Sequence, residues 1–110
     1  MNLDANDHFF MYNIILIYPF NLNKKYTSKT IRFIQYKNCE EGIAAISFFG
    51  KLIDMVIIYE KTSFLSGDII KYLIQKQFPY LPIFIFYDRE KFTQLLQDNL
   101  FHLFLTQHIK

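Results

Sequence analysis

Few residues of this chain are of types that do chemistry, and their spacing narrows what that chemistry could be. His8, His102 and His108 lack the paired spacing with cysteines or acids that builds a zinc site, and the last two are expected at the surface. Cys39 is the only cysteine. A helix start can activate a thiol, but no base stands near it in sequence, so a structural or incidental thiol is expected. Gly42, Gly50 and Gly67 are the only glycines, too few and too scattered for a phosphate-cradling loop, which argues against a nucleotide-binding enzyme. Glu60 could act as an acid or metal ligand, yet alternation along a strand points it away from its neighbour Tyr59; a solvated loop carboxylate is expected. Lys24, Lys25, Lys29, Arg32 and Lys37, with Tyr26, Phe33 and Tyr36 among them, could hold single-stranded nucleic acid by phosphate contact and stacking. A solvated loop leading into an edge strand accounts for the same residues and is preferred.

Composition bounds the rest. The chain has 110 residues, 52% hydrophobic and 19% aromatic, enough to build a single core without staples. A net charge of +2 does not by itself imply nucleic acid. No run approaches the ~20 apolar residues of a membrane span, so no membrane is expected as partner. Residues 1–7 hold two acids and no base, unlike a secretory leader. A lone cysteine fits a reducing compartment, and a cytoplasmic location is expected.

Hydrophobic periodicity supplies the elements. Asn13 to Tyr18 is a continuous apolar run ended by Pro19, as in a central strand covered on both faces. Ile31 to Tyr36 carries Arg32 and Gln35, as in a strand nearer an edge. Cys39 to Lys51, with Glu40 and Glu41 early, predicts a helix. Asp54 opens the strand Met55-Val56-Ile57-Ile58-Tyr59. Ser66 is a plausible N-cap for a helix with Ile69, Ile70, Leu73 and Ile74 at helical spacing. Pro82 to Tyr87 predicts a further buried strand, residues 89–99 a helix with Phe92, Leu95 and Leu96 inward, and His102 to Thr106 a short fifth strand. Strands alternating with helices imply a mostly parallel sheet with right-handed crossovers.

The order acid, apolar strand, Tyr59, loop, Gly67, helix, Pro82, strand resembles the response-regulator receiver (CheY-like) family. The resemblance implies a three-layer flavodoxin-like α/β domain over residues 13–110, strand order 2-1-3-4-5, after an extension of residues 1–12. Only residues 19–30 lie between the first two strands, near the minimum for a parallel crossover. The first helix should therefore be shortened. The last helix should be missing after the fifth strand, leaving one flank open as a partner surface.

In this family an aspartate at the third strand's end is phosphorylated with Mg²⁺. Here Tyr18 and Pro19 stand where the metal-holding acids would be, Tyr59 at the acceptor, Tyr87 at the strand-four hydroxyl and Gln107 at the lysine. The resemblance therefore implies a degenerate receiver with no enzymatic activity, no cofactor and no Mg²⁺. Tyr18, Tyr59 and Tyr87 are expected to converge on the former metal pocket, with Tyr87 holding Phe104 in one rotamer. Such a pseudo-receiver would act as a phosphorylation-independent protein-interaction module in signal transduction or transcriptional regulation. Its surface for a partner or for self-association is expected at Phe92, Leu96, Phe101, His102 and Phe104. The alternative is a nucleic-acid-associated module using residues 24–37.

Overall fold

A computed structural model of the chain describes residues 12–22, 31–60 and 66–108. His8, Lys24, Lys25, Tyr26 and Lys29 lie outside these residues, as does the expected N-terminal extension up to residue 11. The strands are β1 (Tyr12–Ile17), β2 (Ile31–Tyr36), β3 (Met55–Tyr59) and β4 (Ile83–Phe86). They form one parallel sheet in the order β2-β1-β3-β4. The helices are α1 (Cys39–Phe49), α2 (Gly67–Gln77), α3 (Arg89–Leu95) and α4 (Asp98–His108), and a 3-10 turn, Gly50–Leu52, follows α1.

The local signals work through named side chains. Asn38 caps α1, its Oδ1 accepting from the Glu41 N–H at 2.9 Å. Ser66 caps α2 through the Ile69 N–H, and Asp88 caps α3 through the N–H groups of Glu90 and Lys91. Each satisfies donors that a helix start leaves orphaned. Gly50 is required by close approach, because a Cβ there would enter the ring of Phe78 beyond the end of α2.

Alternation divides the sheet's side chains between two cores. Ile15, Ile17, Ile34, Val56, Ile58 and Ile83 pack with Cys39, Ile46, Ile70 and Ile74 under α1 and α2. Ile14, Leu16, Tyr18, Met55, Ile57 and Tyr59 pack with Phe92, Leu96, Phe101 and Leu105 under α3 and α4. The crossovers from β2 to β3 and from β3 to β4 step across the sheet in the same direction, so uniform handedness puts α1 and α2 on one face. The connection from β1 to β2 steps the other way, and its Leu22 packs into the second core.

The end of the chain departs from the sequence expectation. Residues His102 to Thr106 belong to α4, so the five-strand order reduces to its first four strands among the described residues. Their alternation suggested a strand, in which Leu103 and Leu105 would share a face. Leu103 is instead 61% exposed and Leu105 fully buried, because the period is helical, with Phe101 and Leu105 on the inner face. The expected helix at 89–99 breaks at Leu96 and Gln97 into α3 and α4. These two helices cover the flank that a missing last helix would have left open. Most of the first crossover, residues 23–30, lies outside the described residues.

At the amino end of the sheet, Asn13 and Asp54 tie β1 to the entry of β3. Asp54 Oδ2 accepts from the Asn13 N–H at 2.7 Å, the Asp54 N–H donates to the Asn13 carbonyl at 2.9 Å, and Asn13 Nδ2 donates to the Leu52 carbonyl at 3.1 Å. Burial raises the Asp54 pKa above its usual value, opposed by the hydrogen bond from Asn13. The folded chain therefore holds this proton more tightly than the unfolded one. The stability Asp54 contributes is full below its unfolded pKa and is lost as pH rises through the raised folded value. Asp54→Asn keeps an oxygen acceptor and should remove that decline, so denaturation midpoints across the acid range should shift in the variant's favour as pH rises. Parallel pH profiles for the two proteins would refute this.

Candidate functional site

Open α/β sheets place their sites outside the carboxyl ends of the strands, where neighbouring connections leave in opposite directions. Here that point lies between β1 and β3. Tyr18 follows β1 and Tyr59 ends β3, and both are buried on the α3/α4 face.

The turn after β1 is fixed from β2. The Tyr18 N–H donates to the Tyr36 carbonyl at 2.9 Å, continuing the ladder one residue beyond the strand. Gln35 Nε2 donates to the carbonyls of Tyr18 and Phe20 at 2.9 and 2.8 Å, and Lys37 Nζ donates to Asn21 Oδ1 at 2.8 Å. Gln35 of this edge strand thus holds the backbone that aims Tyr18 inward, and Lys37 just beyond it ties in the Asn21 side chain.

The Tyr18 ring stacks on Phe92 from α3, with centroids 4.5 Å apart and planes at 11°. It meets Tyr59 and Phe20 edge-on at 5.6 and 5.5 Å, and Phe86 closes the group against Phe92 at 6.2 Å. Rings in stacked and edge-on contact add to the free energy of their buried area. Arg89, the first residue of α3, covers the cluster from outside. Its Nε donates to the Tyr18 hydroxyl at 2.9 Å, and its guanidinium lies 3.9 Å from the Phe20 ring centroid, a cation–π contact. The one polar atom of Tyr18 is therefore satisfied while the ring stays buried.

Of the three tyrosines expected to converge, two do. Tyr59 pairs in register with Phe86, so the next residue, Tyr87, projects to the opposite face and is 62% exposed. Its phenol pKa is raised, first by desolvation and then by the carboxylates of Asp68 and Glu60. Phe104 is positioned by Phe84 and His108, with ring centroids at 4.8 and 4.6 Å, rather than by Tyr87. Pro19 is half-buried beside Tyr18. Gln107 is exposed on α4, so the post-strand position assigned to it does not exist here.

The expected interaction surface is also corrected. Phe92, Leu96 and Phe101 are buried under α3 and α4 because the sheet needs cover there. Only His102 and part of Phe104 remain accessible. Glu60 is no free loop acid, since its Oε2 accepts from the Gly67 N–H at 2.7 Å at the start of α2. A Cβ on Gly67 would strike that carboxylate and come within 2.9 Å of Ile85 Cγ2, which explains the glycine.

Sequence reasoning placed Phe92 inward, as it is, but missed its stack on Tyr18 and missed Arg89 and Phe20 altogether. The Asp-Arg-Glu start of α3 immediately after β4 was the available signal, since it places residue 89 at the strands' carboxyl ends. Among the described residues no group of three or more His, Cys, Asp or Glu could hold a metal ion, and no helix is long and apolar enough to cross a membrane. No protein-family model, curated protein or solved structure matches this chain.

Phe92→Ala should cost about 3–5 kcal/mol, the usual result of emptying a buried aromatic site. Tyr18→Phe keeps the stack and loses only the bond from exposed Arg89, so about 0.5–1 kcal/mol is expected. Urea denaturation of both variants checks the ratio, and comparable losses would show that the hydroxyl, not the stack, holds the site.

Proposed function

We propose that this chain is a receiver-like module that works without aspartyl phosphorylation, as a non-catalytic protein-interaction domain in cytoplasmic signalling or transcriptional control. The observation that supports this most directly is the environment of Tyr59. It occupies the position matched to a phosphoacceptor and lies buried between Tyr18 and Phe92. Phosphoryl transfer to a carboxylate needs Mg²⁺ held by oxygen ligands in a near-octahedral shell. The carboxyl ends of β1 and β3 offer aromatic rings instead, and the acid next to Tyr59 in sequence, Glu60, is committed to the Gly67 N–H on the other face.

The positive charge beside the site has its own task. Arg89 is engaged by Tyr18 and Phe20, whereas a receiver's lysine engages the phosphoryl group. A domain built this way transmits no phosphorylation signal through its sheet. What it offers a partner is surface of fixed shape.

An amide NMR titration with Mg²⁺ followed by beryllofluoride, an aspartyl-phosphate mimic, tests this. No saturable shifts are expected at Tyr18, Tyr59 or Arg89. Saturable shifts confined to those residues and Glu60 would mean that a metal pocket forms, and the phosphorylation-independent reading would fall.

A further inference from the structure

The two edges of the sheet differ in kind. Edge strand β2 carries Arg32 and Gln35, the polar interruptions that discourage strand addition. Edge strand β4 reads Ile83-Phe84-Ile85-Phe86 with no charge, and among the described residues it pairs with β3 alone. The Val56 N–H donates to the Pro82 carbonyl and the Glu60 N–H to the Phe86 carbonyl, so alternate residues 82, 84 and 86 turn their backbone groups toward β3. Those of Ile83, Ile85 and Tyr87 turn outward. Pro82, which lacks an N–H, falls on the inward set and leaves the outer row of donors intact.

We propose that the β4 edge is a seam between two copies of this chain, paired antiparallel about a two-fold axis at Ile85 so that two sheets become one. The strand is self-complementary in this register. Ile85 faces its own counterpart and exchanges both hydrogen bonds with it, while Ile83 faces Tyr87 of the other copy and exchanges two more. Phe84 meets the second copy's Phe86 on the α3/α4 face, where both are only half-buried in one chain. Tyr87, 62% exposed in one chain, gains a neighbour on the other face.

Charge favours the same arrangement. Helix α2 runs antiparallel to β4, with Asp68 in its first turn near Tyr87 and Lys76 in its last turn. A two-fold at Ile85 sets the acidic end of one α2 toward the basic end of the other. A closed two-fold pairing also uses up the edge, leaving none for further addition.

Sedimentation velocity of the full chain over a concentration series, with amide hydrogen exchange by NMR, tests the seam. A monomer–dimer equilibrium is expected, with the Ile83 and Ile85 amides protected only as the dimer forms. Tyr87→Pro removes two symmetry-related outward donors without touching the β3 ladder, and should weaken the dimer about tenfold or more. Asp68→Lys and Lys76→Asp should each weaken it by about two- to fivefold, and the double exchange should restore it. This charge pair keeps the test valid should the proline variant fold poorly.

A monomer at every concentration, or a dimer whose Ile83 and Ile85 amides exchange freely, would overturn the seam. Protection of those amides in the dilute monomer would also overturn it, because the edge would then be covered within a single chain. The outcome is independent of the phosphorylation question. A monomer leaves the phosphorylation-independent reading standing, and beryllofluoride binding would sink that reading and leave the seam.

Discussion

Burial of β1 and β3 on both faces is the constraint on which the rest of this structure depends. Residues Asn13 to Tyr18 and Met55 to Tyr59 are all buried, and a parallel strand of that kind is stable only between two layers of cover. Right-handed crossovers commit α1 and α2 to one face. The other face exposes Ile14, Leu16, Tyr18, Met55, Ile57 and Tyr59 until something packs there, and residues 89–108 do so. A fifth strand would have extended the edge and left that face bare. The same segment as two helices brings Phe92, Leu96, Phe101 and Leu105 onto it, so tertiary demand overrides the weak local alternation of His102 to Thr106.

That cover also determines the character of the crevice between β1 and β3. Once α3 enters directly after β4, its first turn lies over the carboxyl ends, and Phe92 reaches the same depth as Tyr18 and Tyr59. A carboxylate at the Tyr59 position would be buried against the rings of Tyr18 and Phe92, a costly state. Aromatic residues lock this end of the sheet as acids could not. Arg89 completes it by satisfying the Tyr18 hydroxyl at the boundary with solvent.

Much of this was legible in the sequence because it depends on local rules. The continuous apolar run of β1, the acids opening α1, the Ser66 cap and the helical spacing of Ile70 and Ile74 each belong to one element, and each appears where the pattern places it. The polar residues of β2 pointed correctly to an edge. What escaped notice depends on relations between elements. Tyr87 and Tyr59 look alike in sequence because both end strands, but the register Tyr59 to Phe86 puts Tyr87 on the opposite face. One residue of register separates a site residue from a surface residue. Phe92 and Leu96 read as an interface because a helix's apolar stripe does not say whether its cover is the same chain or another.

The closed ring cluster at the carboxyl ends and the open edge at β4 both follow from residues 98–108 being helical. Had residues 102–106 joined the sheet, β4 would be internal, with both rows of its backbone groups paired. By turning α3 and α4 back over the second core, the chain completes that core and leaves the outward N–H and C=O groups of Ile83 and Ile85 without a neighbouring strand among the described residues. Unpaired backbone groups in an apolar edge are a standing preference for another strand. Adjacent residues of β4 therefore carry opposite properties: Phe86 packs into the ring cluster, while its neighbour Ile85, beneath Gly67 and the start of α2, keeps its backbone turned to the outside.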